Sequence, residues 1–327
     1  MKTSSPDTRP SSARSAIVKA LPHAACGDEG AAVEFLEKLR WEDHPACAHC
    51  GSLAVYQIRT RDGSAREKHF RWRCRDCQQI YSVRNGTVFE DSRVPLYKWV
   101  HAFWSIAASK KGKSALQLKR ELQVTYKTAL FIAHRIRWAM ANLTGGPFGG
   151  TVEIDETYVG GKPRYKGIAP RGRGTRKAMV LGMVERGGRL RLVHAKGQGA
   201  PMRGPIARTV SRDARIVTDD LGVYRGIGKQ FAQHDSILHK KEEYVRRNED
   251  GFVVHTNTIE GAFSLLKRGV NGTFHSISKK HLHRYLAEFQ YRYNTRDIDD
   301  GERFKRMVKS AVGKRLTYQQ QLAGKKP

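Results

Sequence analysis

The chain predicts the α/β class, with two smaller segments ahead of the α/β domain, on three observations. Four of its five cysteines form two C-x-x-C pairs, Cys47/Cys50 and Cys74/Cys77. Residues 96–142 carry three helical apolar patterns. After the Gly- and Pro-rich stretch 144–150, strand and helix patterns follow in the order strand, strand, strand, helix, strand, helix, which is an α/β order. The 327 residues allow two or three cores. Lys and Arg outnumber Asp and Glu 60 to 31, a net charge of +29, so a polyanion such as DNA or RNA is the expected partner ahead of a ribosomal or membrane surface. No run approaches the roughly 18 apolar residues of a membrane helix, and the N-terminus lacks the apolar core of a signal peptide, so a cytoplasmic protein with no membrane partner is expected.

Residues 1–30 read as a basic arm without stable structure, although 31–40 (AAVEFLEKLR) already have helical spacing. Residues 31–92 form the first segment. Between the cysteine pairs, two alternating stretches meet at Asp62-Gly63, a hairpin turn signal. A hairpin with a Cys pair near each end is the geometry of a zinc ribbon, and in a reducing compartment Cys47, Cys50, Cys74 and Cys77 are expected to hold structural Zn²⁺. Arg71 and Arg73, interleaved with Tyr56, Phe70 and Trp72, suit a nucleic-acid surface; the alternative is a charged face over an aromatic mini-core.

The second segment, 93–143, is expected to hold helices from Leu96 to Ala108, from a Ser114/Gln117 capping box to Leu122, and from Thr125 onward. Ala129, Ile132, Ala133, Ile136 and Met140 share one face of the third helix, which would leave Tyr126, Lys127, Arg135 and Arg137 toward solvent. Two short helices with a tight turn and a basic second helix suggest a helix-turn-helix contacting DNA. Residues 144–150 are the linker.

The α/β domain is expected over 151–300, with strands at 151–158, 177–184, 189–194 and 215–218. A basic, Gly-rich loop after the first strand would meet a phosphodiester backbone. Asp155 and Asp219 lie at strand ends, where carboxylates can share divalent cations, and hard oxygen ligands favour Mg²⁺ or Mn²⁺. Asp220 ranks below Asp219 by side-chain alternation, and Glu153 and Glu156 could be solvent-facing or ion-paired. Farther on, Asn257, Glu260, Ser264 and Lys267 line one helix face, with Ile259, Phe263 and Leu266 on the buried face. Asn257 and Glu260 also have capping spacing, and Lys267 could be a plain surface lysine. His255, His275 and His281 read as capping or packing residues, Ser278 as the cap of a further helix, and 301–327 as a basic tail.

The order of these segments, with VEIDETYVGGK, IVTDDLGVY and VHTNTIEGAFSLLKRGVNGTFHSISKKHLHRYLAEFQYRYNTR, resembles the DDE-type insertion-sequence transposases with an N-terminal zinc ribbon, the ISXO-like group, over roughly Ala31 to Arg296. The resemblance implies an RNase H-like catalytic domain with Asp155, Asp219, Asn257 or Glu260, and Lys267 as catalytic positions, the acids and amide binding Mg²⁺. It implies a bacterial, nucleoid-associated enzyme that binds terminal inverted repeats and target double-stranded DNA, cleaves, and transfers a 3′-hydroxyl, as a homodimer or higher oligomer. The alternatives are a transposase-derived, zinc-dependent DNA-binding regulator without catalysis, and a nuclease of the same class.

Overall fold

A computed structural model of the protein describes residues 23–141, 145–160, 177–238 and 244–324. Most of the basic loop expected after the first α/β strand lies outside these residues. Two units are present. One gathers the residues up to Ala108, Ala115–Ala139 and Asp299–Thr317; the other gathers Ser109–Ser114, Met140–Ile298 and the residues from Tyr318 on.

In the first unit, α1 (Glu29–Trp41) begins where Asp28 Oδ1 accepts the Ala31 N–H at 2.7 Å. The helix therefore starts inside the segment expected to be an unstructured arm. Strands β1 (Val55–Gln57), β2 (Trp72–Cys74) and β3 (Ile80–Tyr81) form an antiparallel ribbon. Its hairpin closes at Asp62-Gly63, where Gly63 takes φ +71° and Asp62 accepts from Thr60 and Ser64. The ribbon is tied to α1 by Glu37, which accepts from both Arg66 terminal nitrogens and from Trp72 Nε1 at 2.7 Å.

Helices α2 (Leu96–Ala107), α3 (Ala115–Leu122) and α4 (Tyr126–Met140) follow close to their expected bounds. Thr125 Oγ1 accepts the Thr128 N–H at 3.2 Å and so starts α4. Only the first turn of α4 is open: Tyr126 is 53% exposed, whereas Arg137 is 1% exposed. Arg137 thus departs from the expected solvent face, because the C-terminal half of the helix is enclosed on nearly all sides rather than along one stripe. Arg135 is half-buried and donates to the carbonyls of Val88 and Glu90 at 3.0 and 2.8 Å. Replacing Arg137 with Ala is expected to cost about 3 kcal/mol or more of stability in urea unfolding, since a buried charged side chain is lost from its interactions. A Lys127→Ala change on the open turn should leave the unfolding midpoint unmoved.

In the second unit, β4 (Thr151–Val159), β5 (Ala178–Glu185), β6 (Leu190–Ala195), α5 (Ala200–Thr209), β7 (Arg215–Asp219), α6 (Gly222–Gly228) and β8 (Gln233–Ile237) build a five-stranded mixed sheet. The strand order is β6-β5-β4-β7-β8, antiparallel between β4, β5 and β6 and parallel from β4 through β7 to β8. The polar run of β8 gave no strand signal; pairing with β7 supplies its structure. A two-stranded ribbon, β9 (Arg246–Arg247) and β10 (Val253–Val254), precedes α7 (Asn257–Gly269). A short π turn, Val270–Phe274, leads on to α8 (Leu282–Asn294), whose N-cap is His281 rather than Ser278.

Alternation along β4 and β5 divides the core between the two faces of the sheet. Val152, Ile154, Leu181 and Met183 pack with Met202, Ile206, Tyr224 and Ile227 of α5 and α6. Val159, Val180 and Val184 pack with Ile259, Phe263, Leu286 and Phe289 of α7 and α8.

The expected basic tail is largely helical. In the first unit α9 (Asp300–Lys309) is capped by Asp299 and buries Phe304, Met307 and Val308, with Phe304 stacked on Phe35 at 5.6 Å. In the second unit α10 (Tyr318–Ala323) buries Gln321. The helical apolar spacing of 304, 307, 308 and 311 was masked by the charged residues between them.

Candidate active site and metal centres

Strands β4 and β7 run parallel side by side with Ile154 opposite Thr218. The next residue on each is an aspartate, so register alone brings Asp155 and Asp219 together. A third carboxylate joins them: ligand oxygens of Asp155, Glu156 and Asp219 all lie within 4.8 Å of one another. Glu156 is one of the two neighbours of Asp155 that the sequence left open as solvent-facing or ion-paired. Its carboxylate accepts from Tyr224 Oη of α6 at 2.8 Å and from Gln198 Nε2 at 3.0 Å. Burial first, and then the Glu156 charge, raises the Tyr224 phenol well above its usual range, so it stays a donor. The signal for Glu156 was its adjacency to Asp155; the partners that hold it come from distant parts of the chain. Asp220 instead pairs with Arg225 at 2.8 Å.

Burial pushes the Asp155 carboxyl up to about 7, opposed by the Glu156 backbone N–H and reinforced by the Glu156, Asp219 and Glu260 carboxylates. Crowded, partly buried oxygen donors of one sign are a fitting donor set for a hard divalent cation. Asp155, Glu156 and Asp219 could hold it.

On α7, Asn257, Glu260, Ser264 and Lys267 are all exposed, while Ile259, Phe263 and Leu266 are buried. The electrostatic effect of Glu260 on Asp155 places its carboxylate in the field of the acidic cluster. Thr256, rather than Asn257, is the N-cap, and its Oγ1 donates to Glu260 Oε1 at 3.1 Å. Lys267 lies seven residues beyond Glu260, about 10 Å along the helix. Among the histidines, His255 Nδ1 is 3.2 Å from Glu153 Oε1, which fits the packing reading.

In the first unit the four cysteine Sγ atoms lie within 4.8 Å of one another, with Cys47–Cys77 and Cys50–Cys74 each at 3.6 Å. Tetrahedral zinc thiolates at Zn–S of about 2.3 Å would stand about 3.8 Å apart, so the sulfurs are placed for zinc. The Cys77 backbone N–H, working against burial and with the Asp76 N–H, brings the Cys74 thiol down to about 7, which favours the thiolate a metal needs. Around the site Trp41 meets Trp72 and Tyr81 at 5.7 and 6.0 Å. Of the basic candidates, Lys127 is exposed, Arg71 is exposed but pairs with Glu67 at 2.7 Å, and Arg73 is half-buried.

No helix among the described residues is long and apolar enough to cross a membrane. A family model described as the ISXO2-like transposase domain matches residues 147–294, and one described as the transposase zinc-ribbon domain matches residues 27–79. An uncharacterized protein in transposable element ISH50 of Halobacterium salinarum is 30% identical over 299 residues, covering 87% of this chain and 97% of that protein. With a four-cysteine ribbon in one unit and, in the other, Asp155 at the middle of β4 beside Asp219 at the end of β7, the chain belongs to the ISXO2-like transposase family of insertion sequences.

Proposed function

We propose that the protein binds the terminal inverted repeats of its element, cleaves the DNA strand there, and joins the freed 3′-hydroxyl to target DNA. The observation that carries this reading is the meeting of Asp155 and Asp219 on adjacent parallel strands, with a Glu156 oxygen within 4.8 Å of an oxygen of each. Mg²⁺ or Mn²⁺ bound there would activate the attacking oxygen and stabilise the leaving one. Asp155, Glu156 and Asp219 would hold the ions, and Asn257 or Glu260 would add a donor from α7. Exposed Lys267 would steady a backbone phosphate. Tyr224 and Gln198 keep Glu156 aimed at the aspartates.

The sheet order, with its antiparallel first three strands and its parallel extension through β7 and β8, supports an RNase H-like domain. The short helix α3, the turn at Gln123 with φ +51°, and the open first turn of α4 support a helix-turn-helix that presents Tyr126 and Lys127 to DNA. The zinc ribbon would add Arg71 and Arg73. Holding two element ends together would require a dimer or larger assembly on DNA.

The test is joining of a labelled, pre-cleaved element end to target DNA with Mg²⁺. Metal-dependent joined product is expected. Sequence-specific binding without any joining would point to a regulator, and cleavage without joining to a nuclease. Binding should weaken steeply between about 50 and 200 mM salt as phosphate contacts release counterions. A salt-independent affinity would contradict a phosphate-dominated interface.

A further inference from the structure

Beside the three carboxylates of the acidic cluster sits a fourth with a different environment. Glu153, two residues before Asp155 on β4, is 0% exposed. A buried carboxylate is retained only when its lone pairs are filled, and those of Glu153 are filled almost wholly from the start of α7. Oε2 accepts the Thr258 and Ile259 backbone N–H groups at 2.9 and 3.0 Å, and Oε1 accepts Thr258 Oγ1 at 2.9 Å. These N–H groups belong to the first turn of α7, which has no side-chain cap of its own.

Arg186, just past β5, completes the clamp. Its Nε donates to Glu153 Oε1 at 2.8 Å, Nη1 to the Val253 carbonyl at 2.7 Å and Nη2 to the His255 carbonyl at 2.9 Å. The segment entering α7 is thus held from both sides by one ion pair rooted in the sheet. Gly182, which pairs with Asp155 across β4 and β5, lets α7 lie close: a Cβ there would stand 2.7 Å from Ile259 and Phe263 side-chain atoms. Asp155 and the first turn of α7 are therefore referenced to the same two strands.

We propose that Glu153, clamped by Arg186, is a positioning residue that sets the first turn of α7, with Asn257 and Glu260, against Asp155 for divalent-cation binding. It touches neither DNA nor the ions and acts through α7. The proposal rests on the reading of α7 as a source of metal donors.

The experiment measures Mn²⁺ affinity of the full-length, zinc-loaded protein by the electron paramagnetic resonance signal of free Mn²⁺, with circular dichroism as the check on folding. Glu153→Gln is expected to weaken Mn²⁺ binding about 10-fold, in the range of lost outer partners of metal ligands. The same change made in an Asn257→Ala/Glu260→Gln background is expected to have no further effect, because the donors it positions are gone. Thr258→Val, which removes one hydroxyl donor to Glu153 and leaves the ion pair intact, should weaken Mn²⁺ binding in the same direction, and it stands in should Glu153→Gln fail to fold. Full Mn²⁺ affinity in folded Glu153→Gln, or in Thr258→Val if that is the variant available, overturns the proposal. So does an equal loss with and without the α7 donors. If Asn257→Ala/Glu260→Gln itself binds Mn²⁺ as the wild type does, the reading of α7 as metal-binding falls, and the positioning role falls with it. If that background loses affinity while Glu153→Gln does not, the positioning role alone falls.

Discussion

Asp155→Asn and Asp219→Asn are each expected to reduce strand joining by at least about 10³-fold, since a divalent-cation site supplies several kcal/mol of transition-state stabilisation. Folding and end binding should persist, because each change replaces a carboxylate by an amide of the same shape. Joining at wild-type rate by either folded variant would remove the acidic cluster from the chemistry.

A second readout follows from the raised Asp155 carboxyl, about 7 when folded against about 4 in an unfolded chain. The folded state binds this proton more tightly, so the stability it contributes is full below about pH 4 and is lost as pH rises through about 7. Without added Mg²⁺, Asp155→Asn should therefore be more stable than wild type at pH 8, by the order of a few kcal/mol, and gain little at pH 4. Urea unfolding at the two pH values measures this; a pH-independent difference would show that the burial and crowding of Asp155 carry no such cost. Saturating Mg²⁺ should narrow the gap by stabilising the wild type alone.

Cys74→Ser is expected to release stoichiometric zinc and unfold the ribbon. In isolated zinc-finger peptides the metal contributes about 10–16 kcal/mol of apparent folding free energy, far more than a three-stranded ribbon with so small a core can replace. Trp41 and Trp72 pack edge-to-face beside the site, 9% and 8% exposed, so their emission should shift to the red as zinc leaves. Glu37, buried in α1, would lose its Trp72 and Arg66 partners at the same step. DNA binding should fall, whereas Mn²⁺ binding by the acidic cluster, which lies in the other unit, should persist. Retained tryptophan emission with zinc gone would show that the ribbon stands without its metal.

Much of this was legible in the linear sequence, because it depends on short-range pattern. The two C-x-x-C pairs pointed to a common metal, Asp62-Gly63 signalled a hairpin, and apolar periodicity placed α2 to α4 and β4 to β7 within a few residues. Asp155 and Asp219 stood out as acids on strand patterns, although only Asp219 ends its strand and Asp155 lies at the middle of β4, and the buried and exposed faces of α7 followed from helical spacing. What periodicity could not supply was which faces meet. One dimension assigns Arg137 to a polar stripe, whereas in the fold Arg137 is 1% exposed and only the first turn of that stripe stays open; it reads 301–327 as basic, whereas Phe304 and Met307 find a core to enter.

The site itself shows the same division. By sequence alone, Glu153, Asp155 and Glu156 are three acids on one strand, and the motif names only the middle one. Tertiary structure separates them: Tyr224 and Gln198 draw Glu156 into the cluster, while the first turn of α7 and Arg186 take Glu153 out of solvent. A carboxylate's role depends on the donors around it, and those donors arrive from 33 to 106 residues away. The sequence by itself determined the elements and the two aspartates; the docking of α6 and α7 on the sheet decided what each neighbouring acid does.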